Sequence, residues 1–111
     1  MSIRIFSRKT LKNNIFLQRV TLIDYSNQLS QSAKLQKGFF KSNSYWNIPL
    51  NYLDKELVIT TVSDWKDFKS WNNWYKSNTR KRISNDFSHI IDKEEFSVLK
   101  KKLINDDIFL L

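Results

Sequence analysis

"ELVITTVSDWKDFKSWNNWYKSNTR" (residues 56–80) is the stretch whose reading decides the fold. Its opening, ELVITTV, is the strongest strand signal in the chain because it is rich in β-branched residues. Ser63 and Asp64 then offer N-caps, and a helix is expected from there to about residue 82. That helix carries Trp65, Phe68, Trp71, Trp74 and Tyr75 in a polar, charged setting. At about 100° per residue, Phe68, Trp71 and Tyr75 fall within about 60° of one another, inside one apolar stripe, and are expected in the core. Trp65 and Trp74 point about 180° apart. Trp65, in the first turn, packs against the end of the strand. Trp74 lies about 90° from the middle of the stripe. An indole at that border walls a space between sheet and solvent, which is a cleft position.

Outward from this unit, "IRIFSRKTL" (residues 3–11) alternates like a strand, and Asn13 and Asn14 offer caps for a helix from Phe16. That helix has two apolar stripes, Phe16/Val20/Ile23 and Leu22/Tyr25/Leu29, where one suffices for packing on a sheet. The second stripe is expected to be covered by the chain's own tail or by another chain. Gly38, the single glycine, ends the region in a left-handed conformation. "FFKSNSYW" reads as a strand, and "NIPLNYLDK", with Pro49, as a loop. "FSVLKK" gives a short last strand after a charged loop holding Asp92, Glu94 and Glu95. The order βαββαβ predicts a ferredoxin-like α+β sandwich, an antiparallel sheet with two helices on one face. Residues 1–102 form this domain, and 103–111 are left as an apolar C-terminal tail.

The totals bound the function. At 111 residues there is one core and no second domain. With no cysteine, disulfides, thiolate metal sites and a thiol nucleophile are excluded, and one histidine excludes a multi-histidine metal site within a single chain. No apolar run approaches the roughly 18 residues that span a bilayer, so membrane association is peripheral at most. A net charge of +8 favours an acidic neighbour. Abundant Lys, Asn, Ile, Phe and Ser beside a single Gly is also what an AT-rich genome yields through codon bias. The plastid stroma, or the cytoplasm of an organism with such a genome, is the expected location.

The aromatic segment resembles the antibiotic-biosynthesis monooxygenase-like domains of the dimeric α/β-barrel superfamily. The resemblance is carried by Trp65 and Trp74 nine positions apart, by Ser77, and by the pattern WxxWxxSxxR, which takes in Trp71 and Arg80. "SRKTLK" after the first strand and "KGFF" after the first helix agree with it, so that it covers about residues 3–100. It implies a homodimer in which two sheets form a barrel. Each subunit would hold an apolar pocket for an aromatic small molecule, with cofactor-independent oxidation as the chemistry. The haem-degrading branch also needs an Asn on the first strand and a His ten residues after the second Trp. Those places hold Ser7, or a neighbour, and Ser84, so no haem or other cofactor is implied. The ligand-binding residues implied are Trp74, Ser7, Ser77, Arg80 and Ser84, with hydroxyls and a guanidinium orienting the ligand.

Other signals read as ordinary surface. His89 stands five residues too late for the haem position and reads as a structural histidine. "KGFF" opens the second strand, whereas the RNA-recognition signature belongs on the third, so no specific nucleic-acid partner is expected. The basic runs at 80–82 and 100–102 are solvated faces, and Asp92, Glu94 and Glu95 are not paired catalytic carboxylates. The alternative to a ligand-binding oxygenase-like domain is a catalytically silent accessory subunit docked on a larger plastid complex.

Overall fold

The computed structural model describes residues 2–13, 15–47 and 57–100. Strand β1 (Ile3–Leu11) leads to helix α1 (Phe16–Lys34), then β2 (Phe39–Trp46), β3 (Val58–Trp65), α2 (Phe68–Tyr75) and α3 (Asn78–Phe87). A 3-10 turn, Ser88–Ile90, feeds the last strand, β4 (Ile91–Lys100). The strands lie in the order β2-β3-β1-β4, and every neighbouring pair is antiparallel. β1 and β2, joined through α1, therefore leave a gap that β3 fills, the split βαβ arrangement of a ferredoxin-like α+β sandwich.

The inner face of the sheet follows from strand alternation. Ile3, Ile5, Ser7, Lys9 and Leu11 of β1 point inward and are buried. The register places Ser42, Ser63, Ile5 and Val98 in one row, and Ser44, Thr61, Ser7 and Phe96 in the next. A third row runs Trp46, Ile59, Lys9, Glu94. Between apolar ends, the middle of this face is unusually polar.

Helix α1 covers the face with Leu22, Tyr25, Ser26, Leu29, Ser32 and Ala33, all buried. The Leu22/Tyr25/Leu29 stripe is therefore the core stripe and needs neither tail nor partner to cover it. Phe16, Val20 and Ile23 are the exposed stripe. Leu22 and Leu29 each contribute about 1.5–3 kcal/mol by leaving water.

The second helix begins later than its sequence suggests and is broken. Ser63 and Asp64 are strand residues opposite Ile5 and Arg4, and Asp64 is held by a bidentate Arg4 guanidinium at 2.8 and 3.1 Å. The cap is Asp67, whose carboxylate accepts from the Ser70 amide and hydroxyl, both at 2.8 Å. Those bonds hold its pKa below the usual carboxylate value. The break comes at Ser77, whose Oγ donates to the Trp74 carbonyl at 2.7 Å and accepts the Arg80 amide at 3.2 Å, ending α2 and starting α3. Because α2 opens only at Phe68, its buried side centres on Trp71 and Trp74. Phe68 falls outside that side, 47% exposed with its ring on Trp71, rather than in the core.

Gly38 has φ +89°, and an added Cβ would collide with the Ser70 side chain. Its carbonyl accepts the Lys66 amide at 2.7 Å, which pins the turn after α1 to the entry of α2. β4 starts at Ile91, so Asp92, Glu94 and Glu95 belong to a strand and not to a loop. The tail 103–111 and all of the Pro49 loop except Asn47 lie outside the described residues.

Candidate ligand-binding cleft

Trp65 ends β3 with no exposed surface, and its ring centroid lies 5.8 Å from that of Trp74. The opposed directions expected of these indoles apply only along one continuous helix. Trp65 precedes the helix, so both rings flank the same core. Trp74 is 8% exposed, and its Nε1–H donates to Ser32 Oγ of α1 at 3.0 Å. One side of the ring lines a cleft between sheet and helices that also meets Ser7, Lys9, Leu29, Arg80 and Glu94.

The cleft has a cavity of about 40 Å³. A pocket that encloses a whole aromatic ligand measures at least about 300 Å³. The space is smaller because Trp71, Tyr75, Phe96 and Arg80 pack together at its side. Trp71 stacks on Tyr75 at 4.9 Å, Tyr75 meets Phe96 edge-on at 5.2 Å, and the Arg80 guanidinium sits 4.1 Å above Tyr75. The cavity takes a few waters or one small polar group.

The sequence-derived site residues are brought together only in part. Trp74, Ser7 and Arg80 line the cleft. Ser77 caps α3, and Ser84 shares a hydrogen bond with the Tyr25 hydroxyl at 3.0 Å. Neither Ser77 nor Ser84 is among the lining residues. His89 is exposed in the 3-10 turn. Among the described residues no group of His, Asp and Glu is placed to hold a metal ion.

Three residues that sequence reasoning did not assign to the site, Lys9, Glu94 and Tyr25, join Arg80 in setting its electrostatics. Lys9 is 3% exposed, with Nζ donating to Ser7 Oγ at 2.6 Å and lying 3.7 Å from Glu94 Oε1. Arg80 Nη2 lies 3.7 Å from the same oxygen. The Tyr25 hydroxyl donates toward both Glu94 oxygens at 3.3–3.4 Å. Burial lowers the Lys9 pKa; Glu94 opposes the shift, and Arg80 adds to it. Burial, followed by the Glu94 carboxylate, pushes the Tyr25 phenol up to about 12. The signal for Lys9 was available: in the alternation Ile3, Ile5, Ser7, Lys9, Leu11 it falls on the inward parity. Glu94 is hidden because the charged run "IDKEEF" reads as a loop. Two residues on from Glu94, inward-facing Phe96 fixes its parity once the strand is extended backward.

Comparison with known proteins shows the fold. No family model matches the sequence, and none of the curated proteins matches it. Among solved structures, SnoaB, a cofactor-independent oxygenase from Streptomyces nogalater, superposes with a TM-score of 0.71 at 11% identity, over 92% of this chain and 94% of that one. A conserved protein from Methanosarcina mazei Go1 gives 0.72 at 20% identity, over 92% and 94%. A candidate antibiotic biosynthesis monooxygenase from Deinococcus radiodurans gives 0.69 at 9% identity, over 89% and 93%. The chain thus has the fold of antibiotic-biosynthesis monooxygenase-like proteins along nearly its full length.

Proposed function

We propose that this chain binds an aromatic or otherwise apolar small molecule in the Trp74 cleft and oxidises it without a cofactor, acting as a homodimer. The observation that carries the reading is the convergence of an indole wall with buried Lys9 and half-buried Arg80 and Glu94 on one cavity between sheet and helices. A desolvated charge with a specific charged partner, sitting in a cleft, is a candidate functional group. The fold shared with a cofactor-independent oxygenase supports the chemistry by analogy.

In such a reaction the substrate itself supplies the electrons. One atom of O2 enters the ring and the other leaves as water. For 1-naphthol the balanced outcome is 1,4-naphthoquinone and one water. The protein's part is to hold the ring away from bulk water and to stabilise negative charge that develops on its oxygen.

The homodimer would use the helix-free face of the sheet. There the register aligns Asn43, Val62, Phe6 and Ser97, flanked by a row of Lys41, Asp64, Arg4 and Leu99. Phe6 and Val62 are half-buried, while Tyr45 and Leu99 are exposed on the same face. The accessory-subunit alternative, tied to the Leu22/Tyr25/Leu29 face, loses that face to the chain's own core and keeps only the exposed stripe of Phe16, Val20 and Ile23.

The test is oxygen uptake with 1-naphthol in the presence of a chelator and without added flavin, alongside Trp fluorescence titration. Protein-dependent naphthoquinone formation that Trp74→Ala abolishes supports the reading. Absence of both uptake and binding removes it.

A further inference from the structure

The charge count in the cleft is uneven. Two cations, Lys9 from β1 and Arg80 from α3, face a single carboxylate, Glu94 from β4. Among the described residues Glu94 is the one acidic group within 4 Å of either cation. Neither cation reaches it at hydrogen-bonding distance, since both stand at 3.7 Å from the same oxygen. The remaining titratable neighbour, Tyr25 from α1, turns its hydroxyl toward Glu94 and brings no negative charge at neutral pH. Buried Lys9 needs one carboxylate to offset its desolvation, yet it shares Glu94 with half-buried Arg80, so the carboxylate is divided between two cations. Here the surplus is one positive charge beside a cavity walled by Trp74 and Leu29.

We propose that this surplus is a recognition element, and that the cleft selects a ligand whose apolar ring carries one anionic oxygen group held between Lys9 and Arg80. The proposal rests on the cleft being the ligand site and deepens that reading by naming the ligand's charge. The anionic group fits the existing cavity of about 40 Å³. The ring follows when the Arg80 guanidinium leaves its stack on Tyr75 and turns to the ligand, exchanging a cation–π contact at 4.1 Å for charge-assisted hydrogen bonds. Lys9, on the central strand, stays fixed by Ser7.

The experiment titrates the full chain with benzoate, benzyl alcohol and benzylamine in a carboxylate-free buffer, following the four Trp indole N–H signals by NMR. Trp74, whose N–H is held by Ser32, is the reporter. Benzoate is expected to move the Trp74 signal and to bind at least about tenfold more tightly than benzyl alcohol, with benzylamine weakest. Lys9→Met and Arg80→Met are each expected to bring benzoate and benzyl alcohol within about threefold of one another. Equal binding of benzoate and benzyl alcohol to the unaltered chain overturns the proposal while leaving the cleft as a ligand site. No Trp74 response to any of the three overturns the proposal and the ligand-site reading together.

Discussion

Trp74 and Ser32 are joined by a 3.0 Å hydrogen bond from the indole Nε1–H to the hydroxyl oxygen, and the Ser32 hydroxyl in turn donates to the Leu29 carbonyl at 2.7 Å. This chain fixes α2 against α1 and locks the indole in one orientation. The ring face toward the cleft is therefore set by a polar contact as well as by packing against Trp65. Replacing Ser32 by Ala leaves a buried N–H without its acceptor, at a cost of about 1–3 kcal/mol. Trp74→Ala removes the ring and leaves a void, at about 3–5 kcal/mol. Urea denaturation of both variants checks the order. A Ser32→Ala stability equal to wild type would show that the bond does not hold the indole.

Gly38 ties the turn after α1 to the first turn of α2. Gly38→Ala must hold φ +89° with a Cβ that strikes Ser70, so both the backbone and the contact are unfavourable. The conformational part alone costs about 1–2 kcal/mol. Gly38→Ala combined with Ser70→Gly relieves the collision but not the dihedral, and is expected to recover only part of the loss. Full recovery in thermal denaturation would mean that the collision, not the backbone, sets the requirement.

The parts of this architecture that were legible in sequence are those fixed by local chemistry. β1 follows from alternation and β3 from β-branching, and the lone glycine marks its own left-handed turn. What was not legible depended on which of two locally equivalent options the tertiary structure selects. On α1 both stripes have helical spacing. The buried one is identified by its continuation through Ser26, Ser32 and Ala33, small residues that a search for large apolar side chains passes over. At the second helix, Ser63 and Asp67 are both competent caps, and β1 decides by pairing Ser63 with Ile5. The cleft was legible at Trp74. Of its charges Arg80 was named through the resemblance, whereas Lys9 and Glu94 were not, because a lysine in a strand ordinarily reads as surface and a charged run as loop.

Lys9 carries a prediction separate from ligand binding. A buried ammonium desolvated on the central strand costs stability, and the Glu94 it faces retains Arg80 when it is removed. Lys9→Met keeps the alkyl stem and is expected to stabilise the fold by about 1–2 kcal/mol at pH 7. Guanidinium denaturation reads this directly. A destabilised but folded Lys9→Met chain would show that the lysine is a structural partner of Glu94 and would argue against a role kept at the expense of stability.

The helix-free face of the sheet bears on self-association. Phe6 and Val62 are cross-strand neighbours at its middle and are covered by none of the described helices. If two copies join there, an aspartate at position 62 buries a charge against its own image. Val62→Asp is expected to convert a homodimer to monomer in light scattering or native mass spectrometry, with the far-ultraviolet circular dichroism unchanged. A substitution on the opposite side of the molecule, Phe16→Asp on the exposed α1 stripe, is expected to leave the mass alone. The reverse pattern would move the contact from the sheet to α1 and favour the docking alternative.

Tyr25 supplies the pH dependence. Its folded-state pKa of about 12 lies above the ordinary value of 10.0, chiefly through burial and then through Glu94. The folded chain therefore holds the phenolic proton more tightly than the unfolded chain does. The associated stability is fully present below pH 10 and is lost as pH rises toward 12. Lys9 acts with the opposite sign: its depressed pKa makes its contribution grow as pH climbs toward 10.5. The two are separated by Tyr25→Phe, which removes only the phenolic ionisation. Urea midpoints measured from pH 8 to pH 11.5 are expected to fall more steeply above pH 10 for the wild-type chain than for Tyr25→Phe. Parallel curves would show that the Tyr25 hydroxyl is not held in the desolvated contact with Glu94 and Ser84 on which the electrostatics of the cleft depend.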